Sequence, residues 1–176
     1  FHKKNRHHVR KSLTDSRAFK GLRALDYLED KDRYISASHQ PTLNFGFIGC
    51  GIMGVEHMRN TMMEGRARVS GIYDPAPQSI ENALKTLAKP GAGKPPTVYN
   101  SLKEACNDPE TDALIIATPN FTHLDVMRVA TTSGKAIFLE KPIATSVSDA
   151  FEVCRLAHNH NNIVRIGLQY RYKAIY

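Results

Sequence analysis

From Leu43 onward, short apolar runs alternate with stretches whose apolar positions recur every three or four residues. Leu43–Ile48 is apolar over the length of a strand and ends in glycine. Ile52–Glu64 then carries helical spacing, with Met53, His57 and Asn60 on one side. Val69–Tyr73 reads as a second strand and Gln78–Lys89 as a helix. The stretch Pro90–Pro96, rich in Pro and Gly, must be irregular. Thr97–Tyr99 predicts a brief strand, and a helix follows around Leu102–Ala105. Ala113–Ala117 is continuously apolar, as strands buried on both faces of a parallel sheet are. Ala136–Leu139 and Ile163–Leu168 read as further strands, with helices predicted over Asn120–Thr132 and Val147–His160. Six such alternations predict an α/β fold, a doubly wound parallel sheet with helices on both faces. Right-handed crossovers then bring the glycine turn after the first strand to the carboxyl edge of that sheet.

Residues 1–40 follow a different rule. Phe1–Arg10 is rich in His, Lys and Arg without apolar periodicity, which predicts disorder. Asp15 can cap a short helix carrying Phe19, Leu22, Leu25 and Leu28. This leading segment holds ten Lys/Arg against five Asp/Glu, and the remainder of the chain fourteen against twelve. The net charge of +7 therefore belongs mostly to the extension and not to the body. No basic stripe interleaved with aromatics crosses the body, so no nucleic-acid partner is expected.

Composition narrows the class further. At 176 residues the chain can bury one core of ordinary size. It has no apolar run long enough to span a bilayer, and its basic first residues lack the apolar stretch of a secretory signal. Cys50, Cys106 and Cys154 are odd in number and widely spaced, which suggests neither a disulfide framework nor a metal site. Reduced cysteines are expected, and with them a cytoplasmic protein.

The candidate chemistry gathers at predicted strand ends. Gly49, Gly51 and Gly54 have the G-x-G-x-x-G spacing between a strand and a helix, and Asp74 ends the next strand about twenty residues later. In the Rossmann-type reading Gly49 makes the turn, Gly51 lets a pyrophosphate approach, and Gly54 lets helix and strand pack closely. Ile52 and Met53 then open a helix whose N–H groups face the phosphates. Asp74 would accept ribose hydroxyls, and no arginine follows in Pro75–Ser79, so NAD is favoured over NADP. On the residues alone, the turn could also close an α/β unit that binds nothing, and Asp74 could instead cap the next helix.

Thr118, Pro119, Asn120 and His123 lie where the fourth strand leaves the sheet, beside the expected crevice. Asn120 can cap the following helix, with His123 in its first turn facing the crevice mouth; a surface histidine is the alternative. Glu140, Lys141 and Pro142 end the fifth strand, where alternation points Glu140 and Lys141 opposite ways. Pro142 keeps Lys141 out of helical geometry. A lysine held there can carry a hydroxyl proton while a nicotinamide exchanges hydride, or it can be a surface lysine before a turn.

Together the segment Phe47–Gly54, the run Ala117-Thr118-Pro119 through His123, and Glu140-Lys141-Pro142 resemble the family of glucose–fructose oxidoreductase, inositol dehydrogenase and rhizopine-catabolism proteins (Gfo/Idh/MocA). Gly167–Tyr172, with Gln169, resembles the stretch that leads into that family's second domain. The resemblance implies NAD(P)-dependent oxidation or reduction of a sugar, polyol or related hydroxyl compound. It makes Lys141 the proton-transfer residue. Glu140 and Pro142 become neighbours of the nicotinamide, and Pro119, Asn120, His123 and Gln169 part of the cofactor crevice. A homo-oligomer is implied for the full-length protein. The expected organisation is an extension over 1–40, a dinucleotide-binding domain over 41–169, and the start of a linker over 170–176. Because the family's substrate domain should begin where this chain stops, the expectation is a fragment or truncated product. It would be unable to turn over alone and, with apolar surface exposed, prone to association. The competing readings are a non-catalytic NAD-binding protein, a methyltransferase on the same sheet, and a structural protein with a basic arm.

Overall fold

A computed structural model of the chain describes residues 41–88 and 94–172. The expected extension, its helix from Asp15, part of the Pro/Gly-rich loop and the last residues of the expected linker lie outside the described residues. Six strands form one sheet: β1 (Leu43–Ile48), β2 (Ala67–Tyr73), β3 (Thr97–Val98), β4 (Ala113–Ile116), β5 (Ala136–Leu139) and β6 (Val164–Ile166). Their order is β3-β2-β1-β4-β5-β6 and every pairing is parallel. The helices are α1 (Ile52–Glu64), α2 (Pro77–Leu87), α3 (Leu102–Asn107), α4 (His123–Ala130) and α5 (Val147–Asn159). Among the described residues no helix is long and apolar enough to cross a membrane.

Alternation along the strands creates two cores. On one face Phe47, Val69 and Ile72 pack against Met58 of α1 and against Ala83 and Leu87 of α2. On the other, Ile48, Leu114, Ile116, Ile137 and Leu139 pack against Ala105 and Cys106 of α3, Val126, Met127 and Ala130 of α4, and Val153 of α5. β4 and β5 read as unbroken apolar runs because one face of each is buried and the other half-buried, so neither face favours polar residues.

The elements depart from the sequence-based expectation mainly at their ends. β2 starts at Ala67 because Leu43 and Asn44 pair with Ala67 and Arg68, two residues with no strand signal of their own. The pairing then slips between Phe45 and Gly46, and Ser70 beside the slip bonds Thr111 Oγ1 at 3.0 Å. The helix expected over Asn120–Thr132 is a tight 3-10 turn at Asn120–Thr122, α4, and a second 3-10 turn at Thr131–Ser133. Asn120 does not cap it: the N-cap of α4 is Thr122, whose side chain makes no capping bond. The register pairs Ile48 with Tyr73 and Ile116, and Leu139 with Ile116 and Ile166, so five strands end at one level.

Candidate functional site

The carboxyl edge of the sheet is tied across every exit. Gly49 N–H donates to the Tyr73 carbonyl (2.8 Å), Ala117 N–H to Ile48 (2.8 Å), Glu140 N–H to Ile116 (2.9 Å) and Gly167 N–H to Leu139 (2.8 Å). The order reverses between β1 and β4. Their exits carry the glycine turn and the Thr118 segment, at the switch point where sheets of this kind bind ligands.

At the β1 exit the glycines have distinct tasks. Gly49 has φ of +96°, and a Cβ there would lie 2.6 Å from the Ala117 backbone. A Cβ on Gly54 would lie 2.0 Å from the Gly49 carbonyl oxygen, so α1 can approach the turn only as glycine. Gly51 differs: nothing lies within 4 Å of its would-be Cβ, and its backbone faces open space. The first turn of α1 has no side-chain cap and no acidic residue. α3 and α5 are capped instead by Ser101 and Ser146, which accept the N–H groups of Glu104 and Asp149. Ile52 is 90% exposed and Met53 is also exposed. A helix N-terminus with uncommitted N–H groups behind a bare backbone fits a pyrophosphate.

Asp74 binds this turn to the head of α2. Oδ2 accepts the Cys50 N–H at 2.8 Å and Oδ1 accepts the Ala76 N–H at 2.8 Å. Each oxygen keeps a second lone-pair site, enough to accept a further hydroxyl. The Cys50 side chain is buried, with Sγ 3.7 Å from the Tyr73 carbonyl oxygen. Burial, and secondly the Asp74 charge, push its thiol up to about 12. Cys50 is therefore a packing residue and a poor nucleophile.

At the β4 exit His123 does not face the crevice mouth, contrary to expectation. It is 1% exposed. Its Nδ1 lies 2.9 Å from the Pro142 carbonyl oxygen and its Nε2 3.1 Å from that of Thr118. The ring thus ties the Thr118 segment to the β5 exit. Thr122 Oγ1 lies 2.9 Å from Thr118 Oγ1 and 2.7 Å from the Pro119 carbonyl oxygen, tightening the same turn. Pro119 and Asn120 remain exposed.

At the β5 exit Glu140 is 6% exposed. Its Oε1 lies 2.8 Å from His57 Nε2 of α1, and Oε2 accepts the Lys141 N–H at 2.9 Å. His57 meets Phe138 edge to face, with ring centroids 5.2 Å apart. Lys141 turns outward, as strand alternation predicts, and its side chain is exposed beside Pro142, which follows a cis peptide bond. Gln169 lies beyond β6 in a 3-10 turn, its N–H donating to the Gly167 carbonyl at 3.0 Å. Reading the sequence for motifs misses His57. The available signal is a titratable residue directly beside the core residue Met58, on a helix that must pack against the sheet.

A parallel sheet in this order, with a glycine turn at its switch point, defines an α/β protein of the Rossmann type. Residues 43–168 match the model of GFO_IDH_MocA, described as an oxidoreductase family with an NAD-binding Rossmann fold. The chain belongs to that family. It is 33% identical over 119 residues to an uncharacterized oxidoreductase of Streptococcus pneumoniae, a match covering 68% of this chain and 30% of that protein. It is 30% identical over 138 residues to an inositol 2-dehydrogenase of Acidiphilium cryptum, covering 77% of this chain and 39% of that protein. The solved structure of myo-inositol dehydrogenase from Lactobacillus casei in complex with NAD(H) and myo-inositol shares the fold. Its TM-score is 0.67 at 24% identity, covering 75% of this chain and 38% of that one. The chain thus spans well under half the length of these relatives.

Proposed function

We propose that this chain supplies the NAD-binding half of an oxidoreductase that exchanges hydride with a sugar, polyol or related hydroxyl compound. The observation that carries the reading is the bare turn at Gly51 leading into the uncapped N-terminus of α1, beside exits that present Asp74 and Lys141. Gly51, Ile52 and Met53 bind the pyrophosphate through backbone N–H groups. Asp74 receives the adenosine ribose, and its carboxylate disfavours a 2′-phosphate, so NAD is preferred over NADP. Bound nicotinamide supplies the hydride acceptor or donor. Thr118, Pro119 and Asn120 form the wall of the crevice, held in place by the buried His123. Lys141 Nζ exchanges the hydroxyl proton with the substrate as the carbon–hydrogen bond breaks or forms. The polyol named for two relatives supports the substrate class.

The chain contains no Trp, so cofactor emission can be followed directly. Titration of the whole chain with NADH and with NADPH should give saturable binding that favours NADH. In Asp74→Ala, with folding checked by circular dichroism, that preference should disappear. A folded wild-type sample that binds neither form would overturn the reading.

A further inference from the structure

Two histidines reach the β5 exit from opposite faces of the sheet, and Lys141 lies between their points of attachment. His57, from α1, holds Glu140 Oε1 at 2.8 Å. His123, from α4, lies with Nδ1 2.9 Å from the Pro142 carbonyl oxygen. Glu140 Oε2 in turn accepts the Lys141 N–H at 2.9 Å. The peptide before Lys141 and the carbonyl of the following Pro142 are thereby anchored while the Lys141 side chain stays exposed.

The carboxylate has little freedom to move elsewhere. A Cβ on Gly167 would lie 3.2 Å from Glu140 Oε1 and 2.9 Å from Phe138 Cζ, so only a bare backbone closes that side. Phe138 also meets the His57 ring in a T-shaped contact. A buried carboxylate must be met by donors, and the His57 ring and the Lys141 N–H meet this one. Removing the imidazole leaves one oxygen unsatisfied, and the carboxylate then turns toward water and releases the Lys141 peptide. We infer that His57 is a positioning residue: acting through Glu140, it sets the backbone from which Lys141 reaches the crevice, with His123 setting the opposite side. The inference rests on the reading of Lys141 as the proton-carrying residue.

Amide exchange measured by NMR on the whole chain tests it. The Lys141 amide should exchange slowly in the wild type, although its side chain is exposed. In His57→Ala it should exchange about tenfold faster, the loss expected for one hydrogen bond to a charged group. His57→Gln, whose amide can still donate to Glu140, should restore slow exchange. Addition of NADH should shift the Lys141 side-chain resonance in the wild type and in His57→Gln, and much less in His57→Ala, which a purely structural histidine would not produce. Unchanged exchange in His57→Ala, or no rescue by His57→Gln, overturns the positioning role even where NADH still binds. Failure of NADH to bind, with the exchange pattern as expected, counts instead against the NAD reading. Should His57→Ala not fold, fast wild-type exchange at Lys141 is by itself enough to sink the proposal.

Discussion

At the exit of β1 the chain offers bare backbone to the crevice, whereas at the exit of β5 a buried carboxylate is gripped by an imidazole and a peptide N–H. The first exit is made by what is missing. Gly49 takes a left-handed φ, Gly54 has no room for a side chain, and no side chain caps α1. The second is made by contacts brought from far along the chain, with His57 and Glu140 separated by 83 residues. The first is built out of local geometry; the second is built out of tertiary packing around Glu140.

The largest effects should come from filling the first exit. Gly54→Ala and Gly49→Ala each put a methyl group into backbone atoms, and Gly49→Ala also forces a positive φ on alanine. Each should cost on the order of 3 kcal/mol in urea unfolding, combining overpacking with backbone strain. Gly51→Ala separates structure from binding at the same turn. With nothing within 4 Å of the new Cβ, its stability should change by less than about 1 kcal/mol, while NADH affinity falls at least about tenfold in fluorescence titration. Equal stability losses at all three glycines would break the distinction between turn-making and ligand-facing positions.

The second exit should respond less steeply. Removing the imidazole in His57→Ala leaves a buried carboxylate short of one donor, at a cost of about 1–3 kcal/mol. Glu140→Gln should lose less, since its amide oxygen and nitrogen can still meet the Lys141 N–H and the ring if the histidine tautomer changes. Paired urea titrations of the single and double variants give the coupling energy. A value near zero would mean that the pair contributes nothing beyond its packing on Phe138.

The two exits also differ in how much of them a one-dimensional reading can recover. The turn around Gly49, Gly51 and Gly54 is local, so spacing between a predicted strand and a predicted helix is enough to place it, and α1 runs over Ile52–Glu64 as the periodicity predicts. β5 is likewise found at Ala136–Leu139, because one face is buried and the other half-buried, which leaves an unmistakable apolar run. What the pattern does not carry is partnership. Strand alternation sends Glu140 away from Lys141, but nothing in it says that His57 waits on that face. His123 reads as a crevice residue, because its burial depends on the Pro142 carbonyl 19 residues further on. Ala67 and Arg68 join β2 only because Leu43 and Asn44 pair with them. Each miss is a tertiary contact overriding a local signal.

The smallest effect concerns pH and again separates the exits, through Cys50. Its thiol is pushed from 9.0 up to about 12 by burial and by Asp74, whose carboxylate accepts the neighbouring N–H. A group with a raised pKa contributes stability that is complete below its unfolded value and is lost as pH rises toward the folded one. The glycine turn should therefore weaken as pH climbs from 9 toward 12, with at most about 1.4 kcal/mol per pH unit from this one proton. Buried Cys106, raised to about 11, and Tyr99, raised to about 12 by burial and then by its bond to Asp108, add slopes of the same sign elsewhere in the fold. Urea midpoints at pH 8, 9 and 10 should decline in the wild type and decline less steeply in Cys50→Ala. In the native chain at pH 8, iodoacetamide should modify the exposed Cys154 while Cys50 and Cys106 stay unmodified. Rapid native alkylation of Cys50 would show the turn opening far more readily than its contacts with Asp74 and Tyr73 allow, and parallel slopes would remove Cys50 as the source of alkaline sensitivity.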